Sequence, residues 1–274
     1  MNSSIINNYA QFFPQHLSKI RFNLRKIALN ALDLAITSVM PKNLMEYSLK
    51  VDDSLLFIQN DEFDLSTFEE IYIIGGGKAV AHMTSYLEKF LHKAPEIEYK
   101  GVINIPEGLS ITNLNISDSI QINRASHPIP NVNGMIGVQK MKKLIKNSAQ
   151  NSLIIFLLSG GGSALLPLPK KGITLEDLRT LNKLLLESGA RIQEINVIRK
   201  HLSEIKGGNL ARFIFNTSQA TLVSLVISDV VGNNLDSIAS GPSVPDSSTF
   251  KDVLDILNKY RLLKKVPSSI RSLV

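Results

Sequence analysis

Three stretches of this chain place glycine, hydroxyl and charged residues where an apolar run stops. Gly75-Gly76-Gly77-Lys78 follows Ile71–Ile74, Ser159-Gly160-Gly161-Gly162-Ser163 follows Leu153–Leu158, and Ser228-Asp229 follows Leu222–Ile227. Glycine accepts positive φ and lacks a Cβ, so a backbone built from it can bring several N–H groups close to one ligand, usually an anion. A helix beginning after the turn adds unpaired N–H groups and partial positive charge, and Lys78 adds a full charge. The first stretch is not a P-loop, because the G-x-x-x-x-G-K-[ST] spacing is missing and Ala79 follows the lysine. It is also a poor dinucleotide fingerprint, since Val80 stands where a third small residue should pack. A tight turn with a solvent-facing lysine is the competing reading there. The consecutive glycines between Ser159 and Ser163 are costly in an ordered chain unless their backbone geometry is used.

A different signal lies in Ile195-Asn196-Val197-Ile198-Arg199-Lys200-His201-Leu202-Ser203, followed by Glu204 and Lys206. On a helix Ile195, Ile198 and Leu202 share a buried face, which leaves Asn196, Arg199, Lys200 and Ser203 on or beside another. Clustered cations are what phosphate recognition needs, and arginine can grip in a bidentate way. A solvated basic face is the alternative, and it weighs more on Lys200 than on Arg199. Asp229, at a strand end, suits a Mg²⁺ ligand or a base acting on a hydroxyl, or else a cap for the following turn. Ile238-Ala239-Ser240-Gly241-Pro242 reads as another glycine-containing turn. His127, in Ser126-His127-Pro128-Ile129-Pro130, either contacts substrate or is satisfied by backbone. His16, His82 and His92 form no pair with metal-ligand spacing, which argues against zinc.

The elements that must position these residues alternate. Residues 1–17 are polar and irregular and read as a loose arm; 18–274 read as one domain. Apolar spacings of three and four predict a helix over 17–39, and Pro41 opens a short one through Leu49. A short strand at 55–58 and a polar helical turn at 64–70 precede the buried strand at 71–74. Helices are expected at 79–91, 131–147, 174–188, 192–203 and 249–260, with strands at 101–105, 119–122, 153–158 and 222–227. Thr174 with Asp177 marks a helix start, and Gly189 a stop. Strands buried on both faces, separated by helices, predict a layered α/β fold with a mainly parallel sheet. Their polar ends would meet in one crevice at its carboxyl edge.

At 274 residues and 44% hydrophobic content the chain can bury a full core. It has no cysteine, so disulfide and thiolate chemistry are excluded, in keeping with a reducing, cytoplasmic setting. The net charge of +6 is scattered and aromatics are only 6%, which is not the footprint of a nucleic-acid binder. No apolar run approaches the roughly 20 residues of a membrane span, and the first residues lack the pattern of a secretory signal.

Taken together, these residues resemble the class II glycerate kinases, in the N-terminal part associated with the MOFRL domain. The resemblance is carried by IIGGGKA at 73–79, HPIP at 127–130 followed by NG, LLSGGGSALLPLP at 157–169 and GITLEDL at 172–178. SGARIQEINVIRKHLSEIKGGNLA at 188–211 and SDVVGNNLDSIASGPSVPDSSTF at 228–250 complete it. It implies a Rossmann-like three-layer α/β/α sandwich and ATP-dependent phosphorylation of glycerate with Mg²⁺, 2-phosphoglycerate being the favoured product. Its cleft lies between this domain and a MOFRL domain beyond the point corresponding to Val274, so half of the cleft is expected from outside these residues. Lys78, Arg199 and Asp229 are then expected to be catalytic, with Asp229 on the metal. Gly75, Gly76, Gly77, Ser159, Gly160, Gly161, Gly162, Ser163 and Lys206 are expected on the nucleotide. Lys78, His127, Asn196, Arg199 and Lys200 are expected on the substrate. Asn131 and Asn233 stand where the family pattern has aspartates, and Ser126 where it has a glycine; the two asparagines weaken metal binding or proton abstraction at those positions. The expected partners are glycerate and ATP, with room for a separate MOFRL-domain chain or a homodimer. Two other readings stand beside this one: a non-catalytic domain or inactive homologue that binds a phosphorylated metabolite, and a hydroxypyruvate reductase, against which Val80 speaks.

Overall fold

A computed structural model of the chain describes residues 5–94 and 97–274. Its helices are α1 (Lys19–Ser38), α2 (Pro41–Ser48), α3 (Val80–Leu91), α4 (Val132–Lys146), α5 (Gly162–Leu165), α6 (Leu175–Glu187), α7 (Ile192–His201), α8 (Asn209–Thr217), α9 (Phe250–Lys259) and α10 (Ser268–Leu273). Its strands are β1 (Leu49–Asp52), β2 (Leu55–Ile58), β3 (Asp61–Asp64), β4 (Ile71–Gly76), β5 (Tyr99–Pro106), β6 (Ile120–Ala125), β7 (Leu153–Ser159) and β8 (Thr221–Ile227).

Strands β4 to β8 form one parallel sheet in the order β6-β5-β4-β7-β8, while β1 to β3 form a small antiparallel meander. Both central strands, β4 and β7, are buried along their whole length, as expected of strands covered on both faces. One face packs Ile71, Ile73, Ile103, Ile155 and Leu157 against Val80, Met83 and Leu87 of α3. The other packs Tyr72, Ile74, Ile154, Phe156 and Leu158 against α4 and α8 through Val138, Met141, Leu210 and Ile214. Three layers result. A third core, built from Leu181, Leu185, Ile195, Ile198, Leu202, Val253, Leu257 and Ile270, joins α6, α7, α9 and α10 into a helical lobe beside the sheet.

Helix starts follow local chemistry. Thr174 with Asp177, and Thr249 with Asp252, form capping boxes, each satisfying two otherwise orphaned N–H groups. The expected helix at 17–39 forms as α1, yet Leu29 is its only buried residue, and Ile20, Leu24, Ile27 and Leu34 face solvent. Periodicity there specified a helix but not a buried face. The polar turn expected at 64–70 is a short 3₁₀ turn, Leu65–Thr67, and the strand at 119–122 runs on to Ala125. Residues 5–17 lie against α1, with the Tyr9 hydroxyl donating to Asn30 and Arg25 to the Phe12 carbonyl.

Candidate functional site

Numbered along the chain, the sheet order is 3-2-1-4-5, so the direction of winding reverses between β4 and β7. At such a switch point the carboxyl ends of the two strands leave an open crevice, and here they carry Gly77-Lys78 and Ser159–Ser163. A cavity of about 460 Å³ opens there, walled by the 159–164 turn, by α6 and α7 of the helical lobe, and by the loop 229–240.

The turn ties the first two glycine stretches together. Lys78 N–H donates to the Gly160 carbonyl at 2.9 Å, and Ala79 N–H donates to Ser159 Oγ at 2.9 Å. Gly161 has φ of +85° and faces His127 and Lys78: a methyl added there would lie 3.0 Å from His127 Cδ2 and 3.3 Å from Lys78 Cε. A methyl on Gly160 would run into Asp229 Oδ2. Lys78, His127, Gly160, Gly161 and Asp229 are therefore gathered about one opening. Burial, and then the neighbouring Lys78 cation, hold His127 below its ordinary value, leaving a neutral imidazole at neutral pH.

Deeper in the cavity the character changes. Lys206 is only 6% exposed, and its Nζ donates to the Ser163 carbonyl at 2.6 Å and to Ser163 Oγ at 3.0 Å. Burial, with the adjacent Arg199 charge, pushes Lys206 down to about 7. Arg199 Nε donates to Asn182 Oδ1 at 3.1 Å; burial lowers the guanidinium too, from a value so high that it stays charged. Neither cation has a carboxylate partner among the described residues. Two adjacent cations, one buried and one half-buried, without a counter-ion are unfavourable unless something anionic joins them.

Several expected residues do not line this cavity. Lys200, expected on the substrate, is 4% exposed and lies outside this cavity, with Nζ 2.9 Å from Asp236 Oδ2 and 3.3 Å from Asp246 Oδ1. Following Arg199 directly, it points to another side of α7 and is already neutralised. Gly75 and Gly76, expected on the nucleotide, do not line the cavity: a methyl on the first would strike the Leu157 carbonyl, and on the second the Leu166 side chain. They let β4 pack closely against β7 and the α5 segment. Gly77 does the same against Ser159. Asn131 does not face the cavity either; it caps α4 by accepting from Gly134 N–H at 3.1 Å and donates to Glu107 at 2.8 Å. Asparagine caps as well as aspartate, so that substitution bears on a helix start. Asn196 does line the cavity.

Among the lining residues not expected from the sequence, two polar ones stand out. Asn182 sits on α6, where a poor helix former amid leucines was the available signal. Ser240 is buried, with φ of +63°, and follows Ala239 at +48°. Left-handed backbone at two successive non-glycine residues costs about 1–3 kcal/mol each. It turns the carbonyls of Ser240 and Gly241 toward Gly207 N–H and Gly208 N–H, at 2.9 and 2.7 Å, which fixes the loop carrying Lys206. Nothing in the residue types at 239 and 240 announces this.

No cluster of three or more potential metal ligands exists among the described residues, so an all-protein metal cage is not built here. One carboxylate, Asp229, at a cavity mouth fits Mg²⁺, which is commonly held by one or two carboxylates together with water and substrate phosphates.

Residues 27–274 match the family described as "Domain of unknown function (DUF4147)". The chain is 37% identical over 255 residues to the glycerate 2-kinase of Pyrococcus horikoshii, covering 92% of this chain and 54% of that protein. It is 36% identical over 251 residues to the D-glycerate 2-kinase of Thermotoga maritima, covering 91% and 52%. A solved structure of a Pyrococcus horikoshii protein superposes with a TM-score of 0.80 at 38% identity, covering 91% of this chain and 54% of that one. The chain spans about half the length of the curated relatives it matches.

Proposed function

The chain belongs to the DUF4147 family, and from that membership and the cavity we propose that it supplies the nucleotide- and substrate-binding half of an ATP-dependent glycerate 2-kinase. The observation that carries this reading is a pair of cations, buried Lys206 and half-buried Arg199, without a carboxylate partner among the described residues, beside a glycine-rich turn. Phosphoryl transfer needs positioning and electrostatic stabilisation more than covalent chemistry. Lys78, at the rim, would neutralise charge on the transferring phosphoryl group, and the Gly160–Gly161 backbone would approach it closely because no Cβ intervenes. Asp229 would hold Mg²⁺, which when bound offsets phosphate charge and aligns the phosphates. Neutral His127 would donate or accept one hydrogen bond at the same opening without adding charge. The further length of the relatives would provide the second wall of the cleft and exclude water, from the same or a separate chain. Glycerate and ATP are the small-molecule partners of this reading, and the cytoplasm its setting; no helix among the described residues is long and apolar enough to cross a membrane.

Calorimetry and phosphorus NMR test it. The 274-residue chain is expected to bind Mg–ATP and D-glycerate separately and to turn over slowly on its own. Absence of binding for both would overturn the kinase reading, and rapid glycerate-dependent ATP consumption would overturn the shared cleft. A non-catalytic domain sensing a phosphorylated metabolite is the second reading. It is supported by Asn233 in place of a family carboxylate, and would show as tight 2-phosphoglycerate binding that needs no nucleotide.

A further inference from the structure

The cavity contains two polar centres of different chemistry, joined by one short turn. At its mouth Gly160 abuts Asp229 and Gly161 abuts Lys78 and His127, an opening that carries both signs of charge. At its inner end Ser163, two residues past Gly161, is gripped by Lys206, and Arg199 lies beside it. Neutral groups ring this inner pair: Asn182 accepts from Arg199, and Ser240 Oγ lies 3.5 Å from both Ser163 Oγ and Asn196 Oδ1.

We infer that Arg199 and Lys206 form a carboxylate-binding subsite that selects a small hydroxy acid and turns its hydroxyl toward the Gly160–Gly161 turn and Asp229. This rests on the kinase reading for the reaction but goes further in giving the inner pair to the acid rather than to the nucleotide. Three observations favour a carboxylate over a polyphosphate. Lys206 is buried and Arg199 half-buried, and a small monoanion loses less hydration on entering than a multiply charged phosphate. The pair's two donors match the two oxygens of one carboxylate, the guanidinium offering the planar fork such a group accepts. The Ser163 carbonyl against Lys206 presents lone pairs, which oppose a dense cluster of phosphate oxygens. The surrounding amides and hydroxyls then suit the hydroxyls of a polyol acid. Exposed Lys78, the glycine turn and Asp229 are left for the phosphoryl group, where a metal would also be reachable.

The test is calorimetry on the intact chain with D-glycerate, glycerol and Mg–ATP as separate probes. Glycerate is expected to bind, and glycerol, which lacks only the carboxylate function, to bind at least about 100-fold more weakly, as follows from leaving the buried amine and the half-buried guanidinium unpaired. Arg199→Lys and Lys206→Met are each expected to weaken glycerate by about 10-fold or more while Mg–ATP binding changes less than about 2-fold. Arg199→Lys keeps the charge and is expected to fold, so it serves if Lys206→Met does not. Loss of Mg–ATP binding with glycerate unchanged would overturn the assignment and leave the kinase reading standing. Equal binding of glycerol and glycerate would also overturn it. Glycerate binding that depends on Arg199 and Lys206, in a chain that never binds Mg–ATP, would support the subsite and count against the kinase.

Discussion

Lys206 keeps an amine buried with a carbonyl and a hydroxyl as partners and a guanidinium as its nearest charge. Its folded value near 7 lies below the ordinary 10.5, so between those pH values the unfolded chain binds more protons than the folded one. Stability must therefore rise with pH across that window and be flat in this contribution below 7. Lys206→Met is expected to remove that slope. At pH 7 it should stabilise the fold by about 1–2 kcal/mol, the relieved desolvation being partly offset by an unsatisfied Ser163 carbonyl. Urea midpoints at several pH values check both statements, and a mutant with the wild-type slope would mean the amine is not buried without a counter-ion. Gly161 makes the opposite case. Gly161→Ala forces a side chain into left-handed backbone, costing about 1–2 kcal/mol, and pushes a methyl toward His127 and Lys78. Calorimetry is expected to show Mg–ATP binding weakened at least about 10-fold, more than so small a loss of stability accounts for.

Helix α7 presents Arg199 to the cavity on one side and Lys200 to the loop on another, so one element fixes both walls. The Lys200 ammonium holds Asp236 and Asp246, one at each end of the stretch containing Ala239 and Ser240, and this proximity keeps the Asp236 carboxyl below its usual range. Lys200→Met leaves two carboxylates facing each other. With Asp236 partly exposed, the expected cost is about 2–4 kcal/mol, somewhat below that of a fully buried pair, measured as a lowered urea midpoint. Removing one of the two carboxylates with Asp246→Asn in the same chain returns the cluster to its original net charge and should recover part of it; no recovery would mean the loss comes from packing. The sequence made these elements legible unevenly. Buried strands ending in glycine, and the capping box at Thr174, stood out because each is a local pattern with a local cause. Which way Lys200 points was not legible, since its neighbour Arg199 is equally basic and a helical turn of about 100° separates them. Gly75 and Gly76 carry a related ambiguity: a missing Cβ serves strand packing as well as ligand approach. Helix α8 escaped notice because only Leu210, Phe213 and Ile214 carry its period.

The cavity lies where two separately packed units meet. The sheet contributes the 159–163 turn and the loop after β8, and the helical lobe with its own core contributes Asn182, Asn196 and Arg199. That the chain would fold as strands between helices was legible from period alone. That α6, α7, α9 and α10 would form a lobe with its own core was not, because period marks an apolar face without naming what it meets, as the solvent-facing residues of α1 also demonstrate. A ligand touching both units can only bind when they are docked, so it stabilises the docked arrangement as well as each unit. At one hundred times its dissociation constant such a ligand contributes about 2.7 kcal/mol, which for a chain of this size raises the melting temperature by roughly 5 °C. Hydrogen exchange is expected to slow together in α7 and at the 159–163 turn when D-glycerate is added, because the acid bridges Arg199 and Lys206 and the turn that Lys206 holds. Protection confined to the turn, with α6 and α7 exchanging as before, would mean that the lobe is a support for the sheet rather than a wall of the binding site.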